Sequence, residues 1–354
     1  MLKRLRLRNF KSVKELDLPL SRVNVLIGEP DTGKSNILEV LGVLSWCGQL
    51  GSVAPITSLK EFVRFQNLAN IFTDNCVRGP VEIAIEEPGR DWQCLTITSF
   101  GPGFSLSFVR YGLGDVFSLS PDRIPFKGIP AGILDSGGSL SPFPALPKNM
   151  HYEPVKFYRF KALCHFNGVV GDSLSPPDGR NLITLVMGSS RLGDLLDASF
   201  GAVGQKFVPL PIKKTFEYLR PGPGPGVTFP CHVVSDTLAR SIFYSAAIRS
   251  NHGATLVLEE PEAHMYPSQV RALGEMIAKD TSNQYVLATH SPYLLRELIA
   301  KTVPDDLAVY VTYCRDYQTR VARVTPDNLA GPDGSDPISA ANRCIPAEVN
   351  GRVG

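Results

Sequence analysis

The chain has 354 residues, 43% apolar and 20% charged, with 36 Lys and Arg against 34 Asp and Glu for a net charge of +2. That balance excludes a wholly disordered chain and gives no general basic signal for nucleic acid, and the length implies one large domain or a core with a sizeable insertion. No run approaches the roughly 18 apolar residues that span a bilayer, and Met1 to Arg6 lacks the apolar stretch of a secretion signal, so a cytoplasmic protein without a membrane partner is expected. Cys47, Cys76, Cys94, Cys164, Cys231, Cys314 and Cys344 are scattered and never form a C-x-x-C pair, which reads as reduced thiols rather than a zinc site or disulfide framework.

In chain order, Leu5 to Phe10 alternates apolar with basic or polar residues, the pattern of a half-exposed strand. Lys3, Arg4, Arg6, Arg8, Lys11 and Lys14 all precede the first acid, Glu15. Two readings of that row stand: a strip that meets nucleic-acid phosphates, or solvated charges guarding an edge strand. Val23 to Ile27 is a more buried strand ending at Gly28, and Asn36 to Leu41 has a helical pattern. Gly101 to Pro147 is mostly Gly, Pro, Ser and isolated apolar residues and predicts irregular chain, and Pro221 to Gly226 is a second break. Leu174 to Leu182 reads as a Pro-Gly turn before a helix. Ala254 to Leu258 and Gln284 to Thr289 are two further strands, and Ser268 to Ala278 places Val270, Leu273, Met276 and Ile277 on one helical face. A βαβ crossover follows, with both strands parallel and their carboxyl ends on one sheet edge.

The division expected is 1–100, an N-terminal half with the phosphate loop; 101–229, an irregular Gly/Pro-rich insertion with a helical lobe; and 230–354, a C-terminal half. Only 64 residues follow His290, so no nuclease domain is expected in them, and no heptad pattern persists.

The sharpest motif is Gly28-Glu-Pro-Asp31-Thr32-Gly33-Lys34-Ser35, a full match to G-x-x-x-x-G-K-[ST] between a buried strand and the helix opened by Asn36. Glycines let backbone wrap a phosphate, the helix start supplies N–H groups, Lys34 neutralises β and γ oxygens, and the Ser35 hydroxyl can ligate Mg²⁺. Leu256-Val-Leu258 then runs into Glu259 and Glu260. The first acid is expected at the metal and the second beyond the strand end, where it can act as base toward a water in line with the γ-phosphate. At the end of the next strand His290 reaches the same sheet edge and is placed to touch that phosphate.

These motifs, with L-V-L-E-E-P-E-A-H-x-x-P and A-T-H-S-P in that order, resemble the ABC-type ATPase heads of the SMC, RecF and overcoming-lysogenization-defect (OLD) group. The Glu-Glu-Pro-Glu-Ala-His form is similar to OLD-like AAA-family ATPases, and Asn9-Phe10-Lys11-Ser12 resembles the first-strand element bordering the nucleotide in that group. The match covers roughly residues 1 to 46 and 230 to 300. The resemblance implies an α/β P-loop NTPase with a mostly parallel central sheet, an N-terminal antiparallel β portion and an inserted helical lobe. It implies ATP and Mg²⁺ as cofactors, with Asn9 and Lys11 beside the nucleotide. It also implies a signature helix opening at Ser235 and carrying Arg240, which would complete the site of a second copy in a head-to-tail dimer. Thr237 stands where the signature pattern has glycine. A Q-loop glutamine that senses Mg²⁺ is expected in the family, with Gln66 as candidate. No TOPRIM nuclease domain is expected. Three outputs remain open: an ATPase that controls a separately encoded effector, a DNA-maintenance ATPase, and a nucleotide-binding regulator with little hydrolysis.

Overall fold

The computed structural model describes residues 1–50, 57–89, 92–111, 129–142, 155–325, 329 and 337–338. The chain opens with the hairpin β1 (Arg4–Phe10) and β2 (Val13–Pro19), then β3 (Val23–Gly28) and α1 (Lys34–Cys47). Three short 3-10 turns lead to β4 (Val81–Glu86), β5 (Trp92–Phe100), β6 (Gly103–Tyr111), β7 (Ile129–Leu134), β8 (Leu140–Pro142) and β9 (Val155–Tyr158). Two helices follow, α2 (Leu182–Gly188) and α3 (Ser190–Gly201), then β10 (Lys206–Leu210), β11 (Thr215–Arg220) and β12 (Val227–Pro230). The C-terminal part comprises α4 (Asp236–Ser250), β13 (Thr255–Glu259), α5 (Pro267–Lys279), β14 (Gln284–Ala288), α6 (Pro292–Lys301), β15 (Leu307–Arg315) and β16 (Gln318–Val324).

Among the described residues the strands form three sheets. The central one has the order β16-β15-β3-β14-β13-β9, parallel throughout except for the antiparallel edge strand β16. Its strands are apolar on both sides because both sides are covered. Val23, Val25 and Ile27 face a core shared with α4, α5 and α6, whereas Leu26, Val257 and Val286 face one shared with α1 and the N-terminal sheet. α1 is buried almost all round for the same reason. β13 and β14 run parallel with Glu259 level with Ala288, as the βαβ reading requires, and α5 buries Val270, Leu273 and Ile277.

The second sheet is antiparallel, in the order β2-β1-β4-β5-β6-β7-β8. It corrects two expectations. Residues 103–111, 129–134 and 140–142 are strands rather than irregular chain. The turn that joins β5 to β6 carries Gly101 at φ 56°, and the alternation Phe104, Leu106, Phe108 buries one face. The glycines of this stretch punctuate hairpins instead of dissolving them. The remainder of the expected insertion up to Pro147, and Gly331 to Gly334, lie in part or wholly outside the described residues. β1 is also not an edge strand, since β2 and β4 flank it. Its basic side chains meet acids across the hairpin: Arg4 and Arg6 reach Asp17 at 2.9 and 3.1 Å, and Arg8 reaches Glu15 at 3.0 Å.

The third sheet, β10-β11-β12, packs with α2 and α3 as a lobe around Phe200, Phe207, Phe216 and Tyr218. The 174–182 segment is the expected turn into α2. Gly179, at φ 73°, lies against Phe243 of α4, where a Cβ would come within 2.9 Å of the ring. Among the described residues no helix is long and apolar enough to cross a membrane.

Candidate functional site

The phosphate loop is shaped by its neighbours on β15 and β16. β3 ends at Gly28, φ 140°, where a Cβ would sit 2.7 Å from the Thr312 hydroxyl and closer to its carbonyl oxygen. The loop then turns through left-handed backbone at Asp31 (φ 58°) and Gly33 (φ 96°). The Thr32 hydroxyl donates to the Glu29 carbonyl at 2.8 Å and pairs with the Thr312 hydroxyl at 2.6 Å. α1 starts at Lys34 without a side-chain cap, so its first N–H groups are suited to an anion. The Lys34 ammonium is folded back on its own loop, donating to the carbonyls of Gly28 at 2.9 Å and Glu29 at 2.6 Å. Burial lowers its pKa from the ordinary lysine value, against the opposing pull of Glu260, Asp31 and Glu29. Carbonyl dipoles are weak substitutes for an anion, so this cation is ready for a stronger partner.

Glu259 ends β13 and Glu260 lies just past it, as expected. The Glu259 carboxylate accepts from Arg64 at 2.6 Å and from Arg159 at 2.6 Å, and the Ser35 hydroxyl beside it helps hold its pKa down. Burial alone would raise its pKa, but Arg159 and Arg64 overcome that and hold the carboxyl below its usual range. Glu260 is exposed, adopts φ 42°, and donates its N–H to the Ala288 carbonyl at 3.1 Å, which ties it to the end of β14. Its carboxylate lies 3.7 Å from His290 Nε2. Burial, then Lys34, lowers the imidazole pKa, with Glu260 opposing, so at neutral pH His290 is uncharged.

The other expected residues are engaged with other partners. The Asn9 amide donates to the Gly79 and Pro80 carbonyls at 3.0 and 3.2 Å, and its oxygen accepts from the Thr73 N–H at 3.3 Å. Lys11 is paired with Glu39 and donates to the Arg64 carbonyl at 2.7 Å. Asn36 donates to the Ser12 hydroxyl at 2.6 Å, which in turn meets Thr319 at 2.6 Å. Gln66 is exposed two residues beyond Arg64, its N–H on the Asn70 side chain at 3.2 Å. On α4, Ser235 is the N-cap and accepts from the Leu238 N–H at 3.3 Å. Arg240 pairs with Asp236 at 2.8 Å and lies 4.6 Å over the Phe160 ring. Thr237 donates to the His264 carbonyl at 2.8 Å, fixing the helix start to the segment after Glu260. No ion pair or hydrogen bond joins Ser235 or Arg240 to the phosphate loop among the described residues.

Sequence reasoning missed four charged residues here. Glu39, one turn along α1 from Ser35, is buried and is approached by Lys11, by Arg64 at 3.7 Å and by Arg159 at 3.4 Å. Arg159 follows β9 directly, as Glu260 follows β13, and an arginine just past a buried strand was the available signal. Arg64 sits in irregular chain with nothing to single it out. Glu262 is buried behind Glu260. One of its oxygens accepts from the Thr289 hydroxyl at 2.5 Å and the His290 N–H at 3.1 Å, while the other has no partner. Burial raises its pKa in spite of those bonds.

Among the described residues no group of three or more His, Cys, Asp or Glu is placed to enclose a metal ion by itself. The donor set at the loop is one hydroxyl, Ser35, and one carboxylate, Glu259. Two hard oxygens beside a phosphate cradle suit Mg²⁺, which keeps waters and phosphate oxygens among its ligands.

Residues 1–87 match the family model described as "AAA ATPase domain", and residues 217–296 match "AAA domain, putative AbiEii toxin, Type IV TA system". No curated protein sequence matches the chain. Among solved structures, the SMC head bound to the C-winged helix domain of ScpA aligns with TM-score 0.51 and 12% identity over 92% of this chain and 98% of that one. The Smc head with an extended coiled coil bound to the C-terminal domain of ScpA, from Pyrococcus furiosus, gives 0.51 and 11% over 92% and 96%. The chain therefore has the α/β fold of SMC head domains, and residues 1–87 and 217–296 are similar in sequence to AAA-type ATPase domains.

Proposed function

We propose that this protein binds ATP with Mg²⁺, hydrolyses it, and closes head to tail with a second copy while nucleotide is bound, so as to control a separately encoded effector. The observation that carries the reading is the meeting of Lys34, Glu260 and His290 at one sheet edge, with Ser35 and Glu259 beside them. Lys34 exchanges two carbonyls for phosphate oxygens, a gain in charge-assisted bonding. Ser35 and Glu259 hold the metal. Mg²⁺, when bound, draws charge from the β and γ phosphates. Glu260 is exposed and free to turn toward a water, and it takes the proton as that oxygen bonds to the γ-phosphorus and the bond to the β–γ bridging oxygen breaks, so that ADP leaves. His290 orients the γ-phosphate. Ser235, exposed at the start of α4, is available to a second copy rather than to its own loop.

Two observations support effector control over DNA maintenance. One is the match of residues 217–296 to a family described in toxin–antitoxin terms. The other is the neutralisation of the β1 basic row by Asp17 and Glu15. Mg²⁺-dependent ATP turnover, measured with and without duplex DNA on wild type, Lys34→Ala and Glu260→Gln, tests the proposal. Expected are turnover indifferent to DNA, no nucleotide binding by the lysine variant, and binding without turnover and with dimer accumulation by the glutamine variant. Wild-type turnover by Glu260→Gln would remove the base assignment. Strong stimulation by DNA would restore the maintenance reading, and binding without any wild-type turnover would leave a regulator.

A further inference from the structure

Glu259 and Glu39 face three cations, Lys11, Arg64 and Arg159, so the cluster beside Ser35 carries more positive than negative charge. Each Glu259 oxygen takes a guanidinium at 2.6 Å, Arg64 on Oε1 and Arg159 on Oε2, with the Ser35 hydroxyl near enough to favour the charged form of the same carboxylate. A divalent cation shared by Ser35 and Glu259 needs an oxygen that these arginines hold, and it meets their repulsion at short range.

We propose that Arg64 competes with the divalent cation for the Glu259 carboxylate and so sets the metal concentration at which the site assembles. This rests on reading the site as one for ATP with Mg²⁺. The two arginines are not equivalent. Arg159 is 25% exposed, lies 4.9 Å over the Phe157 ring, and has its backbone N–H on the Pro177 carbonyl at 3.0 Å. Arg64 is 58% exposed and stands in irregular chain between the 3-10 turns Leu59–Glu61 and Leu68–Ile71. Its main chain is fixed, since its N–H donates to Glu39 at 3.3 Å and its carbonyl accepts from Lys11 at 2.7 Å. Only the side chain is free to swing to solvent, where hydration replaces part of the lost bond. Arg64 is thus the partner that yields, and Arg159 the one that keeps Glu259 aligned. Arg64 acts here as a positioning residue, through Glu259.

The test is titration of the full chain with Mn²⁺, followed by electron paramagnetic resonance, in the presence of a non-hydrolysable ATP analogue. Arg64→Ala should reach half-saturation at about tenfold lower Mn²⁺, the size of one charge-assisted bond removed. Arg64→Lys, which keeps the charge but not the planar fork, should fall between. Glu259→Gln should lose tight Mn²⁺ binding, and analogue affinity in EDTA should be the same for wild type and both Arg64 variants. An unmoved or weaker Mn²⁺ midpoint in both Arg64 variants, with analogue still bound, would overturn the proposal alone. Failure of wild type to bind the analogue would overturn the nucleotide reading together with it.

Discussion

A Cβ on Gly33 would lie 2.9 Å from the Cβ of Thr319 and nearer still to its hydroxyl. The two residues are far apart in sequence, yet Thr319 forms one wall of the phosphate loop. Its hydroxyl also meets Ser12 at 2.6 Å, and its N–H donates to the Ser12 carbonyl at 2.8 Å. The β1–β2 turn, the loop and the β15–β16 hairpin are therefore one packed unit. Gly33→Ala meets both this wall and an unfavourable φ of 96°. The cost expected is about 1–3 kcal/mol, read by denaturant unfolding, with nucleotide binding lost. An alanine variant of unchanged stability would show that the loop shifts readily away from Thr319.

Much of this was legible in the sequence, and the exceptions have physical causes. The phosphate loop, the two acids and His290 were legible because local rules fix each one, a glycine turn or the end of an apolar strand. Arg64, Glu39 and Thr319 were not, since each reaches the site through a contact across the tertiary structure. The strands between 103 and 142 were hidden by their own turn residues. Gly, Pro and Ser in that stretch outweighed the two-residue alternation of Phe104, Leu106 and Phe108. The basic row was misplaced for a related reason: charge along a strand does not reveal that a hairpin partner carries the matching acids.

His290 gives the site a pH dependence whose sign can be worked out. Its pKa is lowered from 6.5, first by burial and then by Lys34. The folded protein therefore binds fewer protons than the unfolded chain just below 6.5, and this group's contribution to stability declines as pH falls through that window. A triphosphate reverses the balance, because it favours the imidazolium. ATP binding should take up a proton and tighten as pH falls from 7.5 toward 6, by up to about tenfold for each unit the pKa rises. Calorimetry in buffers of different ionisation enthalpy reads the proton directly. His290→Asn should bind without proton uptake; uptake unchanged in that variant would place the proton elsewhere.

Glu262 offers a stability test separate from turnover. Its pKa is raised, chiefly by burial, so the stabilising form is the protonated one. That contribution is complete below the ordinary carboxylate value of 4.5 and is lost as pH rises through the higher folded value. Glu262→Gln keeps an oxygen for the Thr289 hydroxyl and the His290 N–H, and removes the charge from the partnerless oxygen. At pH 8 the variant should be more stable than wild type by about 1 kcal/mol. Its thermal midpoint should vary less between pH 5 and pH 8. A less stable glutamine variant would mean that the ionised carboxylate is the form the fold requires.

Asp17 offers a test of whether the β1 basic row acts on nucleic acid. It accepts from Arg4 at 2.9 Å and Arg6 at 3.1 Å, and these exposed pairs contribute under about 1 kcal/mol to folding. Asp17→Ala should therefore unfold close to wild type while removing the carboxylate that pairs with Arg4 and Arg6. Duplex DNA binding, followed against salt, should be weak and shallow for wild type. In the variant the slope of log affinity against log salt should steepen by about one to two, one for each phosphate newly contacted. A steep slope already present in wild type would mean that the arginines engage phosphate in spite of Asp17, and the DNA-maintenance reading would then gain the ground that effector control loses.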